Sequence, residues 1–550
     1  MEVKNLMRTK KKQAVRGIAM LCAVMIAASV LSACGGGAQG SESTSSQQST
    51  SSQESSTASA DSEDISLPLF DEPTEMTMFW TFNAAASKVM KSFEENHVWQ
   101  EMERRTNVKL KFVSPPVGQG QEQFNLIMAS GEYPDFIWSD GVQYPGGGDK
   151  AIADGNYVKL NDLIAQYAPN YTRLINSNET IYKQAYTDEG NLWSFAMIEE
   201  NVQGAWLGMV LRQDWLDELG LEKPVPYDDW ETMLTAFKNE KNCTYPLLLD
   251  KSGTYLDCNS MSAGFNVGVK FYQIDNKVHY GPIEDGYKQY VAKMNDWYEK
   301  GLIDPDFASR DGTQTENFIV TDQVGAWRDG FYMLDVYSQK AADPKFHISA
   351  VSTPVQNKGD VAHLRQTNYN VRNLFMSIST NCKYQKEAVK FLDYLYSDEG
   401  FLLCNYGIED EGYTIVDGNP QFTELIAKNP EGYGTDVALQ LYALQSGPFN
   451  RVWDREMFTY GKDAQECEKI WNQADSAYVL PQITMTAEEG DEYATLMGYI
   501  DTYVSENTVK FITGAQSLDK YDEFVNQIKT MGIERVIEIQ QAALDRYNSR

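Results

Sequence analysis

Met76-Thr77-Met78-Phe79-Trp80-Thr81-Phe82 and Val108-Lys109-Leu110-Lys111-Phe112-Val113 are apolar or alternating runs separated by an amphipathic stretch, residues 87–105. Short runs rich in β-branched and aromatic residues read as strands, and the stretch between them has apolar residues at helical spacing. The pattern continues, with Gln123–Ala129 predicting a helix and Asp135-Phe136-Ile137-Trp138 a short buried strand. Alternation of strand and helix builds a mainly parallel sheet covered by helices, so the fold class is α/β.

Downstream the alternation holds. Asp162–Tyr167 predicts a helix that stops at Pro169, Asn191–Met197 and Leu207–Leu211 predict strands, and Asp214–Leu219 predicts a helix ended by Gly220. Trp230–Lys238 is helical after the turn at Pro224 and Pro226, and Gly286–Lys300 is helical up to Gly301. Gln385–Tyr396 and Asp519–Arg546 are helical, the latter with Ile533, Val536, Ile537 and Leu544 at helical spacing. No internal repeat of fixed period is visible.

The N-terminus reads as an export address. Lys4, Arg8, Lys10, Lys11, Lys12 and Arg16 precede an apolar run from Ile18 to Val30, which is too short to span a bilayer stably. The run ends in Leu31-Ser32-Ala33-Cys34, which resembles a bacterial lipobox. By that resemblance residues 1–33 are a signal peptide, and Cys34 becomes the lipidated N-terminus. Residues 34–66 are rich in Gly, Ser, Thr and Gln and read as a flexible tether with an r.m.s. reach of roughly 30 Å. Gly35, Gly37 and Gly40 match GxGxxG, but no strand precedes them and no helix follows, so a dinucleotide reading fails.

The chain has 550 residues, 78 acidic against 47 basic, for a net charge of −31. Loss of the signal peptide removes six basic residues and one acidic, leaving 41 against 77 and a net −36. Such an excess argues against nucleic acid, which requires clustered Lys and Arg. Of the seven Cys, five remain after Cys22 and Cys34 are set aside, and none forms CxxC. Cys243 and Cys258 stay open as a disulfide or as free thiols. There is no HExxH and no GxSxG, and the four His (His97, His279, His347, His363) are scattered, so the chain does not read as an enzyme.

Several ordered segments resemble extracellular solute-binding proteins of bacterial ABC transporters, in particular a long carbohydrate-type lipoprotein group. They are Ser130-Gly131-Glu132-Tyr133-Pro134-Asp135, Leu160–Ile164 with Ala168-Pro169-Asn170, and Leu211-Arg212-Gln213-Asp214-Trp215-Leu216-Asp217-Glu218-Leu219-Gly220-Leu221, followed by Asp228-Asp229-Trp230. Further on come Trp297-Tyr298-Glu299-Lys300-Gly301-Leu302-Ile303-Asp304-Pro305-Asp306, Ala388–Leu395 with Ser397–Gly400, and Phe511–Gly514. The resemblance implies a two-lobed, type II periplasmic-binding-protein-like fold, with the ligand in an interlobe cleft crossed more than once by the chain. It implies lobe 1 at 67–198 and 351–400, and lobe 2 at 199–350 and 401–550 with the C-terminal helices. The implied role is capture of a carbohydrate, an oligosaccharide, for ABC permease subunits by a monomer held to the membrane through Cys34.

One departure stands out. Members of the group often carry a calcium-type loop after Ala236-Phe237-Lys238, whereas here Asn239–Pro246 offers too few oxygen ligands. Neither metal nor cofactor is expected.

A sugar site needs aromatic platforms and polar side chains, and in open α/β sheets ligands meet strand ends. That rule selects Trp80 and Asn83 after the first strand, Asp135, Trp138 and Asp140 around a later one, and Trp193 and Trp206. It also selects Trp327, Arg328 and Asp329 in a Gly-flanked turn; Tyr369 and Arg372 complete the set. Trp215, Trp230 and Trp297 read as packing residues and Arg212 as a structural ion-pair partner. The alternatives are the same fold binding a peptide, amino acid or polyamine, a sensory subunit, or a secreted glycan hydrolase.

Overall fold

The computed structural model describes residues 65–140, 142–249, 259–310 and 314–550. The signal peptide, Cys34, most of the tether and Cys258 lie outside the described residues. Of those described, 65–414 and 422–550 belong to one unit.

Nine strands organise it: β1 (Thr74–Phe79), β2 (Val108–Val113), β3 (Phe136–Trp138), β4 (Phe195–Ile198), β5 (Leu207–Arg212), β6 (Tyr245–Leu247), β7 (Val324–Gly330), β8 (Ile348–Val351) and β9 (Val371–Ile378). The first sheet has the order β2-β1-β3-β9-β4, and the second β8-β5-β7-β6. β1 pairs parallel with β2 and β3, as helical crossovers require. β9 pairs antiparallel with β3 and β4, because it enters from the second lobe and not by a helical crossover. In the second sheet only β6 and β7 are parallel; β5 runs antiparallel to both its neighbours. The architecture is α/β with mixed sheets.

Each sheet buries its own core. Met76, Trp99, Phe136, Trp138 and Phe391 pack in the first lobe, and Trp230, Phe237, Met294, Trp297, Ile500 and Phe524 in the second. The other face of the second sheet holds Val210, Trp327, Leu334 and Trp471. Trp215, Trp230 and Trp297 are thus core residues. Arg212 is fully buried, paired with Asp214 at 2.6 Å and Asp322 at 2.5 Å, and its guanidinium lies over Trp215 and Phe346. Cys243 is buried, and its thiol donates to the Gln323 carbonyl at 3.3 Å.

The structure breaks several elements that read as continuous. Residues 87–105 split into Ala86–Val89, a turn at Phe93–Glu95 and His97–Thr106. Ser92 Oγ accepts from Glu94 N, and Asn96 Oδ1 from Trp99 N, so capping side chains interrupt the run. The helix Asn161–Tyr167 ends ahead of Pro169 as expected, but the proline is not followed by a loop. It starts the helix Pro169–Ile175, whose first amides bind the Asp393 carboxylate, Tyr171 N at 2.7 Å. Gly532, at φ 101°, divides the C-terminal run into Tyr521–Thr530 and Ile533–Ser549.

The lobe boundaries also differ from the expected ones. Val355, Ala362 and Leu364 pack in the second-lobe core, so the chain returns to the first lobe at about residues 365–370 and not at 351. Leu403, Cys404, Leu444 and Phe449 pack in the first-lobe core, because helix Asp398–Tyr406 extends the layer begun by Gln385–Tyr394. The last crossing therefore falls near residues 450–459 and not at 401.

The crossings run side by side. Ile198 N donates to Phe449 O (3.0 Å), Arg451 N to Ile198 O (2.7 Å), and Glu199 N to Asn370 O (2.7 Å). A further tie joins the lobes where Arg546 and Arg550 of the C-terminal helix meet the buried carboxylate of Asp188.

Candidate functional site

The C-terminal ends of β1 and β3 deliver Thr81 and Asp140 to the region of the crossings, and Thr81 Oγ1 donates to Asp140 O at 2.7 Å. β4 ends on Glu199, whose carboxylate is fully buried. Arg372 Nη1 at the start of β9 and Arg451 Nη1 both donate to Glu199 Oε1, at 3.0 and 3.1 Å, and Gln203 N reaches Oε2 at 3.3 Å. Arg451 Nη2 continues to Glu456 Oε1 at 3.4 Å, and Gln445 Nε2 to Glu456 Oε2 at 3.2 Å. Ser446 Oγ donates to Asp140 Oδ2 at 3.3 Å.

Low polarity sharpens these charges. Burial pushes the Asp140 carboxyl up, opposed by the Ser446 hydrogen bond and the Arg372 charge. Burial lowers the Arg372 guanidinium, against the pull of Glu199, and takes Arg455 down to about 10. Asp436 is also raised by burial, and Glu456 lies near enough to add to the rise.

The second lobe contributes an aromatic wall. Trp206 at the start of β5 and Tyr332 just after β7 stack at 6.3 Å and 22°, both partly exposed. The Tyr332 phenol is pushed up to about 12 by burial and by the nearby Asp329 and Asp436, the latter borne by a first-lobe helix, Thr435–Tyr442. Tyr460 is surrounded by Glu456, Asp436, Arg451 and Tyr332. Side chains from both lobes and all three crossings therefore converge here. Trp206 Nε1, Arg451 Nε and the Tyr460 hydroxyl are buried and have no partner among the described residues. The arrangement pairs an aromatic face with fixed donors and acceptors, and residues 84–400 match the family described as bacterial extracellular solute-binding protein.

The chain belongs to that family. Its members are binding proteins, and the fold is that of their two-lobed solved structures. The chain is similar to the fructooligosaccharide ABC transporter substrate-binding protein FusA of Streptococcus pneumoniae serotype 4 (strain ATCC BAA-334 / TIGR4), 22% identical over 88% of this chain and 93% of the relative. Lipoprotein LipO of Bacillus subtilis (strain 168) is 23% identical over 78% of this chain and 85% of its own. Among solved structures, the alginate-binding protein AlgQ2 without calcium ion superposes with a TM-score of 0.72 at 24% identity, covering 87% of this chain and 99% of that one.

Within this solute-binding protein, the twelve residues singled out from the sequence scatter. Asp140, Trp206, Arg328 and Arg372 come to the convergence. Trp80 and Trp138 do not; their rings stack at 5.0 Å inside the first-lobe core, and Trp138 is fully buried. Asn83 caps Ala86 N at 2.8 Å. Trp193 packs between Tyr157 and Phe375. Trp327 is core, and its Nε1 donates to Asp329, which also accepts from Tyr337 and Gly330 N. Asp329 is a packing hub held up by burial. The Tyr369 hydroxyl donates to Leu480 O at 2.6 Å.

Asp135 sits at the opposite end of β3 from Asp140. Its Oδ2 accepts from Thr77 N and Thr77 Oγ1, both at 2.7 Å, and clamps β1 to β3. Asp135→Asn is expected to cost about 2 kcal/mol of stability, read by urea unfolding, with ligand affinity unchanged. Tyr332, Asp436, Gln445, Ser446, Arg451, Glu456 and Tyr460 were not singled out. The only hint was the density of charge and aromatics in Phe449–Glu456, a stretch with no periodicity.

Proposed function

We propose that this solute-binding protein is a lipid-anchored capture subunit that takes an oligosaccharide from outside the cell and presents it to ABC permease subunits. The observation that carries the reading is the Trp206–Tyr332 stack next to Tyr460, which Arg451 of the Arg372–Glu199–Arg451 cluster also approaches. A pyranose or furanose ring offers an apolar face to stacked aromatics and a rim of hydroxyls to fixed donors and acceptors. The relatives support it: FusA is named for fructooligosaccharide and AlgQ2 for alginate. No helix among the described residues is long and apolar enough to cross a membrane, and attachment through Cys34, with a monomeric mature protein, completes the proposal. It binds and does not cleave, so incubation with oligosaccharides should release no sugar.

Thermal unfolding of the purified chain against mono- and oligosaccharides, amino acids, peptides and polyamines tests it. A ligand at a hundred times its Kd adds about 2.7 kcal/mol to native stability and raises the midpoint by a few degrees. A shift with one carbohydrate class supports the proposal. A shift only with peptides, amino acids or polyamines refutes it.

A further inference from the structure

We infer that the occupant of this site is a neutral oligosaccharide and not one built from uronic acids, an inference that rests on the carbohydrate reading above. A uronate is recognised by an unclaimed guanidinium, which grips its carboxylate through two parallel N–H donors. Three of the guanidiniums at the crossings are already claimed. Arg372 and Arg451 share Glu199, and Arg451 also reaches Glu456. Arg455 is buried with its donors on the carbonyls of Asn405 (2.6 Å) and Leu444 (2.7 Å). A uronate that drew Arg372 or Arg451 away would strand the carboxylate of Glu199, which has no exposure to water.

The remaining surroundings repel a second anion. Asp140 faces Arg372 with one oxygen committed to Ser446, and Asp436 lies near Tyr332 and Glu456. Arg328 makes no ion pair among the described residues, yet it shares the surroundings of Tyr332 with Asp329 and Asp436. Lys88, exposed on Ala86–Val89, stands near Asp436. Over the whole chain the net charge is −31, so a polyanion approaches against the field at low salt. Neutral hydroxyls meet none of these costs. They find unpartnered donors at Trp206 Nε1 and the Tyr460 hydroxyl, and an acceptor at Asp140.

Calorimetric titration of the purified full-length chain decides the matter. The probes are neutral fructo-, gluco-, galacto- and mannooligosaccharides against galacturonate and alginate oligomers of matched length, at about 20 and 300 mM NaCl. A neutral oligomer is expected to bind at least about a hundredfold more tightly than any uronate, with affinity nearly independent of salt. Tighter binding of a uronate, weakened about tenfold by Arg328→Gln, overturns the inference and leaves the carbohydrate reading standing. Binding of neither set overturns both.

Discussion

Glu199→Gln should lower the unfolding midpoint by roughly 10 °C, the largest stability effect of any single substitution at the crossings. The carboxylate is fully buried and accepts from Arg372, Arg451 and the Gln203 amide. Glutamine keeps the shape and removes the charge. Two guanidiniums then face each other across a neutral amide, and burial with no compensating anion costs about 3–5 kcal/mol. The loss is read by calorimetry or chemical unfolding. Glu200→Gln is the control: Glu200 is exposed and its carboxylate accepts from Asn450 Nδ2 at 2.9 Å, so its loss should stay within about 0.5 kcal/mol. Equal effects at the two positions would show that the buried network does not organise the crossings. Removing a guanidinium together with Glu199, as in Glu199→Gln with Arg372→Met, should recover part of the loss, since the stranded charge goes with it.

Trp206→Ala should weaken oligosaccharide binding by about thirtyfold, equivalent to about 2 kcal/mol, while stability changes far less. The ring is partly exposed and stacks on Tyr332, and it packs from outside against the core that holds Val210, Trp327 and Trp471. Trp206→Phe keeps a platform and should recover most of the affinity. Trp138→Ala should do the reverse, lowering stability by about 3–5 kcal/mol without a direct contact to lose, because its ring is buried against Trp80. Titration calorimetry and unfolding on the same preparations separate the two cases. Affinity that survives Trp206→Ala would remove the aromatic wall from the site.

The strand and helix pattern made the first lobe readable, because β1, β2 and β3 follow the alternation that helical crossovers impose. It did not reveal which way strand-end residues face. Trp80 and Asp140 both lie at C-terminal strand ends, but β1 and β3 pack on both faces, so the Trp80 ring turns inward to Trp138 and Trp99 while Asp140 projects beyond the sheet. Asp135 and Asp140 frame the same three-residue strand, and only the hydrogen bonds to Thr77 distinguish clamp from site. Arg212 was legible because its partner Asp214 is two residues away. Glu199 was not, since one of its two arginines is 173 residues distant and the other 252. The helix Thr435–Tyr442 and residues 445–460 come to the site through a crossing that no local pattern announces.

Sugar is expected to bind where Trp206, Tyr332, Asp140 and Arg372 come together, and a crystal structure of the protein grown with its tightest-binding oligosaccharide decides it. That crystal structure should show a sugar ring against Trp206 and Tyr332, with hydroxyls hydrogen-bonded to Asp140 or Arg372. A bound sugar with no atom in contact with Trp206 or Tyr332 would contradict it.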